Sequence, residues 1–174
     1  MHAPRLPDLG KVAGNFAPSQ LPGSIEWETL VVENNSRDQT FQVTEGFSYR
    51  FPGRFRYVCE STPGKSYAPN SGIHEAAEDI LAFTHDDVTG GQHWSQNLTG
   101  SSEGREWAGA GRRILHVDSV SPAPWPAFDG PFGMGGIVGA LFDHGERPGN
   151  LDEAPFGANM AFRTTYCTSM VGFG

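Results

Sequence analysis

The residue types best able to do chemistry crowd one stretch of the chain. His74, His85, Asp86, Asp87 and His93 lie within twenty residues, and imidazole with carboxylate can ligate zinc or another divalent cation. Their spacing matches no metal-ligand signature, so they stand only as weak metal candidates. The same stretch has a second reading. Glu75, Glu78, Asp79, Asp86 and Asp87 are five acids with no Lys or Arg among them, and such a run is a solvated face or a cover for nearby guanidinium groups. We prefer the second use, with Arg50 and Arg56 as the groups covered.

Two glycine patterns suggest chemistry that their surroundings do not support. Gly100-Ser101-Ser102-Glu103-Gly104 spells the G-x-S-x-G elbow of α/β hydrolases, which needs a buried strand before it and a helix after it; Gln96 to Gly111 reads as a polar loop instead. Gly133, Gly135 and Gly139 follow Pro124-Trp125-Pro126 and not a strand opening a βαβ unit, so dinucleotide binding is not expected. No catalytic residue and no cofactor are assigned. Trp94, Trp107 and Trp125 lie in or near loops, where indole rings fill a core, anchor an interface or stack on sugars.

The elements that would position these residues read as strands. Ile25 to Val32 is a first strand. Thr40 to Phe51 places Phe41, Val43, Phe47, Tyr49 and Phe51 on one face, a period of two that predicts a long second strand. Arg54 to Glu60 repeats the alternation after Pro52-Gly53, which predicts a hairpin. A three-residue loop over Pro52 to Arg54 sets Phe51 opposite Phe55, Tyr49 opposite Tyr57 and Phe47 opposite Cys59, and leaves Arg50 facing Arg56 on the outer side, where like charges call for an acidic partner. Ile73 to Thr84 reads as a short helix running into a strand. Later strands are expected at Arg113 to Asp118, Ile137 to Phe142 and Asn159 to Val171. Pro/Gly-rich loops at Ser119 to Gly136 and His144 to Gly157 separate them.

Composition adds to this picture. With 23 Gly and 13 Pro in 174 residues, against an average near 12% for the two together, the chain is loop-rich. Four prolines in residues 1–24 predict an extended N-terminal arm, without the apolar segment of a signal peptide. Net charge is −8, and no basic cluster offers the footprint that nucleic acid or an anionic membrane requires. Cys59 and Cys167 are the only cysteines, and two buried free thiols are expected. Asn34-Asn35-Ser36 and Asn97-Leu98-Thr99 match the glycosylation sequon, as chance matches in a chain lacking a secretion signal.

The sequence therefore predicts an all-β chain, mainly an antiparallel β-sandwich or jelly-roll-like barrel spanning 25–174, with the arm at 1–24 and at most one or two short helices. The function expected is non-enzymatic: a virion subunit of capsid, decoration or tail type, made in the cytoplasm without a signal peptide. Its partners would be copies of itself or a larger protein shell that orders the arm and the C-terminal tail. Arg50, Arg56, Trp125, Phe132 and Phe173 are the interface residues expected. Two alternatives are a monomeric carbohydrate-binding module using the loop tryptophans and a small metalloenzyme at His74, His85 and His93.

Overall fold

The structure is a computed structural model that describes residues 25–36, 38–86, 88, 90–91, 93–100, 108–111 and 159–169. Its first half is a βαβ unit. Strand β1 (Thr29–Glu33) leads into helix α1 (Thr40–Arg50), which returns the chain to strand β2 (Phe55–Cys59). β1 and β2 pair in parallel, with Thr29 opposite Phe55 and Glu33 opposite Cys59. Helix α2 (Tyr67–Glu75) follows, then strand β3 (Ile80–Thr84), helix α3 (Trp94–Gly100), strand β4 (Gly109–Gly111), strand β5 (Asn159–Arg163) and helix α4 (Thr164–Ser169). β5 lies between β3 and β4 and runs antiparallel to both.

The all-β expectation is thus overturned: the described residues hold four helices and a parallel pair. The decisive error was Thr40 to Phe51. It is a helix because Thr44, Phe47, Ser48 and Phe51, spaced three and four apart, form the stripe that meets β2. Thr44 is buried at 1% exposure, whereas Tyr49, placed in the core by the hairpin register, is 88% exposed. The apparent alternation fails at Glu45, which is exposed. The hairpin is replaced by a crossover, and Gly53, at φ 75°, makes the turn between α1 and β2. Thr29–Glu33 ends one residue later than the first strand expected, and the strand expected at Ile80–Thr84 is present. In place of one strand over Asn159 to Val171, β5 gives way to α4 at Thr164. The arm at 1–24, the strands expected at 113–118 and 137–142, the loops at 119–136 and 144–157, and Ser102 lie outside the described residues.

Alternation along β1 and β2 sorts their side chains between two helices. Phe55 and Tyr57 point toward α1: the Phe55 ring lies 5.1 Å from Phe47 and 5.7 Å from Phe51, and Tyr57 meets Phe41 edge-on at 5.1 Å. Trp27 closes that cluster, 6.0 Å from Phe55 and 6.4 Å from Phe51. The Ser48 hydroxyl donates to the Phe55 carbonyl at 2.7 Å. Arg56 points the other way, toward α2, donating to Glu28 at 3.0 Å, to the Glu75 carbonyl at 2.9 Å and to the Glu75 carboxylate at 2.8 Å. The parallel pair is therefore covered on both faces, as parallel strands require. On β4, Phe162 lies so close over Gly109 that a Cβ there would collide with its ring.

Candidate functional site

Parallel strands leave a crevice outside their carboxyl ends where α/β proteins bind ligands. At that end of the parallel pair lie the loops after β1 and β2. Glu33 is the last residue of β1, buried at 9% exposure. Its carboxylate accepts from the Tyr57 hydroxyl at 2.7 Å, from the Cys59 thiol at 3.6 Å and from the backbone N–H of Ser36. The Tyr57 hydrogen bond, foremost, holds the Glu33 carboxyl below its ordinary value, helped by the Ser36 and Cys59 donors. The same bond pushes the Tyr57 phenol up, with burial adding to it.

Asparagine side chains join the two loops. Asn34 donates through Nδ2 to the carbonyls of Glu60 at 3.0 Å and Thr62 at 2.7 Å, and its Oδ1 accepts from the N–H of Gly64 at 3.0 Å. Asn35, at φ 60°, donates to the Ser61 carbonyl at 2.9 Å. Glu60 then binds this loop to α2, its carboxylate accepting from the Ser71 hydroxyl and, at 2.6 Å, from the Thr62 N–H. Those donors, Ser71 first, hold Glu60 below its ordinary value. Asp38 accepts from the Thr40 hydroxyl and, at 3.0 Å, from the Thr40 N–H at the start of α1, and both bonds lower its carboxyl.

The second crossover carries the chain to the opposite end of this layer before β3 begins. Glu75 closes α2 against Arg56, and the Ala77 N–H donates to Glu28 at 2.8 Å. β3 then ends at Thr84, followed by His85 and Asp86, both exposed. On its far side, β5 is tied to α3 by the Trp94 indole N–H donating to Asn159 at 2.9 Å.

The residues expected from the sequence scatter across this frame. His74 lies in α2, His85 and Asp86 follow β3, and His93 precedes α3 with its Nδ1 3.3 Å from Gln96 Oε1. Among the described residues no three His, Cys, Asp or Glu side chains converge as a metal-binding group, and Asp87 is not described. Arg56 is satisfied within the chain by Glu28 and Glu75, while Arg50 lies over the Phe47 and Phe51 rings at 5.7 Å each. Trp107, Trp125, Phe132 and Phe173 lie outside the described residues. Both thiols are free, but Cys59 is exposed and Cys167 half-buried, so neither is the core thiol expected. Sequence reasoning missed Glu33, Tyr57, Asn34 and Glu60 as a group. Asn34-Asn35-Ser36 registered only as a sequon, although a strand-ending carboxylate followed by Asn-Asn-Ser before a helix was the available signal.

Comparison with known proteins falls on this same part of the chain. Residues 19–104 match the model of the family described as glycosyl transferase family 2. That segment contains β1, α1, β2, α2, β3 and α3. The chain is also 31% identical over 80 residues, 46% of its length, to glycosyltransferase AglE of Haloferax volcanii, of which it covers 26%. Among solved structures it is similar to the mannosyltransferase PcManGT from Pyrobaculum calidifontis in complex with GDP-Man and Mn2+. That likeness has a TM-score of 0.67 at 15% identity and covers 99% of this chain and 45% of the other. The chain thus spans less than half the length of either relative.

The fold is the α/β glycosyltransferase fold of the GT-A type, not a sandwich or jelly roll. The family match also overturns the reading as a non-enzymatic virion, capsid, decoration or tail subunit with a protein shell as its partner, and with it the alternative of a non-enzymatic carbohydrate-binding module. Among the described residues no helix is long and apolar enough to cross a membrane.

Proposed function

We propose that this chain is the nucleotide-sugar-binding part of a glycosyltransferase, which transfers a sugar from a nucleoside diphosphate to an acceptor hydroxyl. One observation carries the reading: the segment matching glycosyl transferase family 2 contains the βαβ unit and the loops at the carboxyl ends of its two parallel strands. In that reaction the bond from the anomeric carbon to the acceptor oxygen forms, the bond to the diphosphate oxygen breaks, and the acceptor proton leaves with a base. The loops after β1 and β2 are the surfaces against which the nucleotide lies. Glu33, already held by three donors, serves to fix the β1 loop and the edge of that surface.

The similar mannosyltransferase was solved with Mn2+ and GDP-Man, and the donor set after β3 fits such an ion. Asp86 offers a hard oxygen ligand and His85 an imidazole, a combination suited to Mn2+. Two protein ligands suffice where diphosphate oxygens and water complete the shell. His85 and Asp86, with Asp87 next in sequence, are the residues that would hold the ion, and when bound it would neutralise charge on the leaving diphosphate.

Isothermal titration of the full chain with GDP-mannose, UDP-glucose and UDP-N-acetylglucosamine, each with and without Mn2+, tests the reading. Saturable binding of one of them that weakens at least tenfold without Mn2+ or in Asp86→Ala is the expected result. No binding to any of the three overturns it.

A further inference from the structure

Asn34 makes three side-chain hydrogen bonds to the loop after β2. Both Nδ2 hydrogens go to carbonyls of that loop and Oδ1 receives the Gly64 N–H, bridging 26 to 30 residues of sequence. Asn35 adds a parallel bond to Ser61. Gly64 itself is at φ 146°, and a Cβ there would meet the Tyr67 ring at 2.9 Å, so the receiving loop is packed closely on the start of α2. The far side of the loop is anchored through Glu60 to Ser71. A carboxamide satisfies this geometry where a carboxylate does not: an aspartate has no N–H for the two carbonyls, and its charge would face them.

From this arrangement we propose that Asn34 is a positioning residue of the donor site: with Asn35 it clasps the β1 loop to the β2 loop and so sets the width of the crevice in which the nucleotide lies. The inference rests on the glycosyltransferase reading. The clasp bonds only the two loops and makes no hydrogen bond to His85 or Asp86, so its loss weakens nucleotide binding and leaves the chemical step alone. The effect is graded, since Asn35 contributes one bond and Asn34 two donors and one acceptor.

The test uses the full chain, Mn2+ and whichever of GDP-mannose, UDP-glucose and UDP-N-acetylglucosamine the wild type binds most tightly. Asn34→Asp removes both donors, and Asn35→Gly removes one while keeping the φ of 60° available. With each lost bond worth about three- to tenfold, Kd should rise roughly tenfold to a hundredfold in Asn34→Asp and about three- to tenfold in Asn35→Gly. Donor hydrolysis or transfer should show KM rising in the same order, with kcat within twofold of wild type. Kd within twofold of wild type in both variants, or a fall in kcat with KM unchanged, overturns the positioning role. Wild type that binds none of the three sugars overturns instead the reading on which it rests. Should Asn34→Asp fail to fold, Asn35→Gly alone decides, its Kd rising or not.

Discussion

Truncating Phe55 and Tyr49 to alanine distinguishes a helix packed on a parallel pair from two strands of a hairpin. In the hairpin register the two residues share one apolar face. In the structure they differ completely: Phe55 is 3% exposed and Tyr49 88%. Phe55 sits among Trp27, Phe47 and Phe51, with ring centroids between 5.1 and 6.0 Å. Emptying such a site loses the transfer free energy of the ring and leaves a cavity, about 3–5 kcal/mol together. Aromatic pairing places the loss toward the upper end of that range. Against a total stability of about 5–15 kcal/mol, Phe55→Ala should lower Tm by roughly 6–20 °C for a chain of this size. Tyr49→Ala should stay within about 0.5 kcal/mol of wild type. Urea unfolding followed by tryptophan fluorescence measures both, with Trp27 reporting from inside the cluster. A Tyr49→Ala loss as large as that of Phe55→Ala would refute the helical placement of residues 40–50 and the parallel pairing that depends on it.

Other expectations follow from the same contacts. Glu45→Pro, on the exposed face of α1, should lose about 3 kcal/mol or more, because proline removes a helical hydrogen bond and collides with the preceding turn; circular dichroism and urea midpoints check it. Glu33 and Glu60 have carboxyls held below the ordinary 4.5, so their stabilisation is complete above that value and is lost as pH falls through the lowered ones. Acid unfolding curves of Glu33→Gln and Glu60→Gln should accordingly be flatter below about pH 4.5 than that of wild type. Tyr57→Phe removes the strongest influence on Glu33, and carboxyl NMR titration should show the Glu33 midpoint moving up. A maleimide should label exposed Cys59 before half-buried Cys167, whose thiol is pushed up by burial; equal labelling rates read by mass spectrometry would contradict that difference.

Some of this protein was legible in its residues alone. The apolar run Ile80–Thr84 marked a strand, Pro52-Gly53 marked a turn, and the alternation of Phe55, Arg56 and Tyr57 correctly separated two faces of β2, because each of these is a local property of side-chain period and backbone freedom. What local pattern could not decide was the partner. Phe41, Val43, Phe47, Tyr49 and Phe51 satisfy a strand almost as well as Thr44, Phe47, Ser48 and Phe51 satisfy a helix, and only the covering of Phe55 and Tyr57 by α1 selects the second. Parallel pairing likewise rests on where the chain returns after the 21 residues between Glu33 and Phe55, a tertiary fact. The crevice depends on it entirely: Glu33, Asn34 and Glu60 meet because β1 and β2 end side by side, and no spacing in the sequence records that two strand ends will share a layer.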